Sequence, residues 1–182
     1  MFLRIVPVGS IQHSILDVVR TNFENNLNIK CRIMSKLPIP EESFNRWRKQ
    51  YNAEVILASL SKDSTVKFID RSIPTLMIID ADLYYGGLNF VFGVEDPSTS
   101  SSIVSIARLR PEFYDERANT RLLEERVVKE AMHEMGHHLG LRHCINTECV
   151  MCFSPSVGDI DIKQKYFCES CKVNLMARGI SL

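Results

Sequence analysis

An α+β fold built on a mixed sheet is predicted by three observations. The chain opens as strand, helix, strand; its middle holds several short apolar strands; and one long amphipathic helix then leads into an irregular tail. A chain of 182 residues is long enough for one compact domain with its own hydrophobic core.

Taken in order, residues 2–8 run apolar and read as a strand, followed by a helix over 11–27 with Ile15, Val18, Val19 and Phe23 at helical spacing and Ser10 as its N-cap. A β-prone stretch at 28–34 completes a βαβ opening, and the proline-bearing stretch 36–42 is a loop. A short helix is expected over 53–61, and a buried strand over 73–80. Further strands are expected over 88–94 and 103–107, separated by Asp96, Pro97 and five consecutive Ser or Thr residues that read as a mobile loop. Residues 119–139 form the clearest helix, with Leu123, Val127, Val128, Ala131, Met132, Met135 and Leu139 on one face. Beyond Gly140 regular structure is not expected until a short helix over 168–178. No internal repeat is evident.

Composition excludes several classes. With 45% hydrophobic and 24% charged residues the chain is neither disordered nor collagen-like. Twenty-two basic residues against 22 acidic ones leave no global field to hold a polyanion, so nucleic acid is not the expected partner. Arg4 and Pro7 interrupt the apolar start, which therefore lacks the unbroken core of a signal peptide, and no stretch is long enough to span a bilayer. A cytoplasmic, monomeric protein is expected, in which cysteines serve metals rather than disulfides.

Four of the five histidines fall between His133 and His143, and five of the six cysteines between Cys144 and Cys171. His133 and His137 lie one helical turn apart, about 6 Å along the axis, so both can reach one ion. Gly140 and His143 extend the pattern to His-Glu-x-x-His-x-x-Gly-x-x-His, which this composition would produce by chance in about one such sequence in a hundred thousand. A continuous helix would leave His143 about 15 Å from His133, so Gly140 must stop the helix in the left-handed conformation and turn the chain back. Three neutral imidazoles leave the fourth position of a zinc ion open, the arrangement of a catalytic site. Glu134, beside a ligand on the same helix, is placed as general base toward water whose pKa the zinc lowers. The competing readings are helix-surface histidines without metal, or a bound but inactive zinc. His138 falls nearer the apolar face and reads as a packing residue.

Cys149-x-x-Cys152 and Cys168-x-x-Cys171 satisfy a common four-cysteine zinc pattern by spacing, which leaves Cys144 over. A closed thiolate site is structural, and its binding free energy, of order ~10 kcal/mol, can fold a loop-rich tail. Cys31 stands alone and reads as a core residue.

The extended histidine motif followed by Met151 resembles the metzincin metalloproteases, and the adjoining cysteines resemble their archaemetzincin branch. The resemblance is tight from His133 to Cys171 and looser at Gln50-Tyr51-Asn52-Ala53, Leu88-Asn89-Phe90-Val91-Phe92-Gly93 and Ser105-Ile106-Ala107-Arg108. It implies a metzincin-like fold: a single catalytic domain over 1–182, with an N-terminal lobe to about residue 140 and a small zinc-stabilised C-terminal lobe over 141–182. It implies a zinc-dependent metallopeptidase acting on peptides or proteins, with two zinc ions, one catalytic and one structural. Met151 matches the Met-turn methionine that floors the three histidines, and the stretch 88–94 becomes a cleft-edge strand that pairs with an extended peptide. The family pattern selects Cys144, Cys149, Cys168 and Cys171 and leaves Cys152 over. A knuckle closed at both Cys149 and Cys152 would also constrain the turn that must aim Met151 at the histidines.

Weaker signals carry no assigned chemistry. Asp80 and Asp82 read as turn formers. Lys163, Lys165, Lys172 and Arg178 read as a solvated basic face, and Tyr166 is a candidate oxyanion partner that no spacing identifies. The competing classes are a two-zinc scaffold with a silent site and a zinc-ribbon nucleic-acid binder.

Overall fold

The computed structural model describes residues 1–60 and 73–180. Its main sheet has the order β2-β1-β5-β8-β7, from β1 (Phe2–Val8), β2 (Lys30–Ile33), β5 (Thr75–Ile79), β7 (Gly93–Asp96) and β8 (Ser101–Ser105). Four strands run parallel, and only β7 is antiparallel, at the edge beside β8. Helix α1 (His13–Leu27) crosses between the parallel β1 and β2, giving the expected βαβ opening.

Alternation along the strands divides the core in two. Leu3, Ile5, Leu76, Ile78 and Val104 face α1 and the long helix α3 (Thr120–His138), while Val6, Val8, Met77, Ile79 and Ile103 face α2 (Ala53–Leu60). The predicted stripe of α3, from Leu123 to Leu139, lies entirely within the first cluster. That cluster continues into Leu141, Val150, Met151, Ile160 and Phe167, so the tail shares the core of the rest of the chain.

Several boundaries differ from expectation. The helix α1 starts at His13 with Gln12 as N-cap and no side-chain cap, because Gly9 turns at φ +73 and leaves Ser10 in a bend. The last residue of the short helix expected over 53–61, Ser61, lies outside the described residues. The edge strand is Gly93–Asp96 rather than 88–94: the pairing segment is the polar one, as an exposed edge favours, and the apolar run before it lines a cleft instead. Ser101 and Ser102 belong to β8, and the turn before them is tied by Asp96, whose carboxylate accepts from Ser98 N (3.0 Å), Ser98 Oγ (2.7 Å) and Thr99 Oγ1 (3.0 Å). A small second sheet of β3 (Phe44–Asn45), β4 (Gln50–Asn52) and β6 (Leu83–Tyr84), with strands of two or three residues, has too little periodicity to read from sequence.

Two helices follow α3. α4 (Val157–Ile162) was not expected; its signal was the capping box of Ser156 and Asp159. α5 (Glu169–Ala177) has Cys168 as N-cap. Arg126 of α3 grips Asp161 of α4 through two hydrogen bonds, 2.8 and 2.7 Å, and Lys163, just past α4, reaches Glu130 at 2.7 Å. These contacts seat the tail on the helix that carries the histidines.

Candidate metal centre

Helix α3 begins at Asn119, whose Oδ1 accepts from Leu122 N at 3.0 Å, and ends as the motif requires. Gly140 is at φ +86; its N–H donates to His137 O (2.8 Å), and Leu141 N donates to Gly136 O (2.9 Å), the paired bonds of a Schellman stop. The chain then returns, and His143 stacks 5.3 Å from the His133 ring and meets that of His137 edge-on at 4.9 Å.

One ring nitrogen from each of His133, His137 and His143 falls within 4.8 Å of the others. The Nδ1 of His133 meets Val150 O at 2.8 Å and that of His137 meets Leu141 O at 3.0 Å. A carbonyl only accepts, so both Nδ1 atoms carry the proton and both Nε2 lone pairs, 3.1 Å apart, face the same point. Burial first, with Lys163 adding to it, pushes the His133 pKa down to about 2, and burial lowers His137 and His143 as well. Neutral, convergent imidazoles are the donor set a zinc ion takes.

Glu134 lies against β7, where only a glycine fits: a Cβ on Gly93 would overlap the Glu134 carboxylate. Glu134 Oε2 is buried without a hydrogen-bond partner among the described residues. Burial, with Glu130 and Glu95 nearby, raises its pKa well above the usual carboxylate range, against the opposing pull of Lys163. An orphaned carboxylate oxygen beside three aligned imidazoles suits a proton-accepting role toward a bound water. Glu134 and the three histidines line a cleft of about 490 Å³; Leu88, Phe90, Val91, Glu95, Phe153 and Lys163 contribute to its walls.

Met151 is fully buried and its sulfur packs at Gly136, where any Cβ would overlap it. The turn is fixed by Cys144 N donating to Met151 O at 2.9 Å. Gly136 and Gly93 are thus site residues that motif reading missed, since Gly136 holds an unspecified position of the motif and Gly93 lies 41 positions from the Glu134 it accommodates. Lys163 is also corrected: it is 1% exposed and paired with the equally buried Glu130, not part of a solvated face. The signal for it was absent, because its partner is 33 residues away in sequence. Tyr166 lines a neighbouring cavity rather than the histidine cleft, and His138 is half-buried outside the cluster. Asp80 and Asp82 hold Arg110 and Arg108 as ion pairs, each at 2.6 Å.

The second cluster joins Cys144, Cys149, Cys168 and Cys171, with all four sulfurs within 4.8 Å of one another. The Cys144–Cys168 and Cys149–Cys171 separations are both 3.7 Å. Four sulfurs each ~2.3 Å from a tetrahedral zinc lie about 3.8 Å apart, so the set fits. Backbone N–H groups of Met151 and Cys168 donate to Cys149 Sγ, each at 3.4 Å. Burial raises the Cys168 pKa, but hydrogen bonds from the Cys171 backbone and the neighbouring thiols outweigh it and bring Cys168 to about 7, toward the thiolate a metal takes. Cys152 lies outside the cluster, its sulfur on Phe153 O at 3.6 Å. Cys31 is half-buried at the edge strand β2 and packs on the first core cluster.

Fold and site together define a metallopeptidase of the His-Glu-x-x-His helix type. The model of peptidase family M54 matches residues 3–177. The archaemetzincin of Methanocaldococcus jannaschii is 41% identical over 180 residues, covering 99% of this chain and 96% of the relative. That of Pyrococcus furiosus is 37% identical over 179 residues, 96% and 92%. The crystal structure of archaemetzincin from Methanopyrus kandleri superposes with a TM-score of 0.83 at 32% identity, covering 97% of this chain and 94% of that one. The chain belongs to peptidase family M54, the archaemetzincins, and is a zinc metallopeptidase. Membership does not favour a silent scaffold or a nucleic-acid binder. Among the described residues no helix is long and apolar enough to cross a membrane.

Proposed function

We propose that His133, His137 and His143 hold the catalytic zinc and that Glu134 is the general base of peptide hydrolysis. When bound, zinc supplies Lewis acidity that polarises the peptide carbonyl and lowers the pKa of water. Glu134 receives the proton of the attacking water on its free Oε2 and returns it to the leaving amine. The Val150 and Leu141 carbonyls keep the His133 and His137 rings turned toward the metal. Met151 packs beneath the helix turn that carries His133 and His137. The observation that carries this reading is the convergence of three imidazole nitrogens beside a buried carboxylate oxygen with no partner of its own.

The substrate is an extended peptide laid along β7. Phe92 O accepts from Ser105 N, which with the ladder register leaves the backbone groups of Gly93 and Glu95 pointing away from β8 to the open edge. A second, structural zinc would be held by the Cys144, Cys149, Cys168 and Cys171 cluster, and four cysteines free of disulfides suit a reducing cytoplasm. Residues 1–182 act as one catalytic domain, a reading supported by the cluster shared between β1 and α5.

The test is a peptide library processed by zinc-replete wild type and Glu134→Ala. Turnover should fall about 10²- to 10⁴-fold with zinc content unchanged. Equal processing by the two proteins would remove Glu134 from the mechanism.

A further inference from the structure

Residues 88–92 wall the catalytic cleft, yet they belong to no strand; Val91 makes one bridge to Leu83. Its Phe92 end is tied to β8, where Ser105 N donates to Phe92 O, and the β3–β4 hairpin holds its other end. Arg48 Nη2 donates to Leu88 O and to Asn89 O, both at 2.9 Å. Gln50 Nε2 donates to Asn89 O (2.9 Å) and to Asp82 Oδ2 (3.1 Å), and its Oε1 accepts from Arg48 Nε at 3.0 Å. Asp82 in turn takes Arg108 on both oxygens, at 2.6 and 2.8 Å, and that guanidinium lies 4.3 Å over the ring of Phe90. The circuit therefore starts and ends on the wall, while Arg48, Gln50, Asp82 and Arg108 are all outside the cleft lining.

We propose that Arg48 and Gln50 are positioning residues that fix residues 88–92, so that Leu88 and Phe90 form a rigid apolar wall for a large apolar side chain of the bound peptide. The inference rests on the peptidase reading of this cleft. The Leu88 and Asn89 carbonyls are already occupied, so this stretch meets substrate with side chains, whereas β7 offers backbone groups. Leu88 and Phe153 stand 53% and 56% exposed in the cleft, apolar surface that a substrate side chain would cover. A wall held by its carbonyls can present that surface without first being ordered, which lowers the cost of binding.

The test uses the full zinc-replete chain as wild type, Arg48→Ala and Gln50→Leu. Amide hydrogen exchange at Leu88 and Val91, whose N–H groups donate to Tyr85 O and Leu83 O, should accelerate about tenfold in each variant, with α1 and α3 amides unchanged. KM should rise about 3- to 10-fold for peptides with Phe or Leu beside the scissile bond and stay level for Gly, with kcat within about twofold. Unchanged exchange at the wall, or equal acceleration in α1 and α3, overturns the proposal. So does a fall in kcat that is the same for both peptide sets. Arg48 is exposed, so Arg48→Ala carries the test even where Gln50→Leu fails to fold. A wild type that cleaves no peptide would defeat the peptidase reading, and the exchange measurement would still decide the clamp.

Discussion

His143 and Cys144 are consecutive residues, but the clusters they belong to are held in opposite ways. The imidazoles of His133 and His137 are aimed by carbonyls, which accept from Nδ1 and free Nε2. The Cys149 sulfur instead accepts from two backbone N–H groups, which favour negative charge on it. Three donors and a cleft make one site accessible to substrate; four donors in a knot of turns make the other closed. One junction serves both: the Cys144 N–H holds Met151 O, and Met151 packs at Gly136 between the first two histidines. Damage to the closed site should therefore reach the open one, while the reverse should not occur.

The largest expected effect breaks that asymmetry directly. Cys144→Ser should release one of two zinc ions, cost several kcal/mol (about 3–5) of stability and abolish turnover. His137→Ala should release the other ion and abolish turnover with the C-terminal part still folded. Cys152→Ser should leave both ions in place. Metal analysis with thermal unfolding reads all three; retention of both ions by Cys144→Ser together with loss by Cys152→Ser would reverse the ligand assignment.

A smaller effect is expected where the two sites share their joint. Gly136→Ala forces a methyl group into the Met151 sulfur and should cost about 1–3 kcal/mol by overpacking. Turnover should fall further than zinc content does, because the methionine shifts under rings that still bind. A companion Met151→Ala change, which makes room for the new methyl, should restore part of the stability; a Gly136→Ala protein as stable as wild type would show that the contact is loose.

The smallest effect is on pH dependence, with the histidine site emptied by a mild chelator. Burial lowers the His133 pKa in the folded chain to about 2, against an unfolded value of about 6.5, so below that value the unfolded chain binds more protons. Stability is therefore lost as pH falls from about 6.5, by up to about 1.4 kcal/mol per pH unit for this residue. Reloading the site should raise the midpoint at both pH values and leave the slope in place, since zinc-bound His133 takes no proton and the unfolded chain still does. Urea midpoints at pH 6.5 and 5.5, with and without zinc, measure this; an unchanged midpoint in the emptied protein would mean that His133 is solvated.

The parts of the fold legible in sequence were those with local periodicity. α3 shows its stripe over five turns, and Gly140 announces its end. The edge strand was misplaced because the apolar run 88–92 serves a cleft and a polar clamp, while the true edge strand carries Glu95 and Asp96. Three short stretches of the looser family resemblance, at residues 50–53, 88–93 and 105–108, meet in the fold: Gln50 and Arg108 both bind Asp82, and Gln50 also holds Asn89 O. Lys163 looked like surface because a lysine gives no local sign that a glutamate will meet it inside.

By itself the sequence marked the donors: residue types and spacings within 40 residues pick out two candidate metal clusters and a candidate base, because helical geometry converts an interval of four into a shared point. Which glycine makes room for Glu134 and which hairpin holds the cleft wall were decided only by tertiary structure. Those contacts join residues 39 to 41 positions apart, and no local pattern reports a distance set by packing.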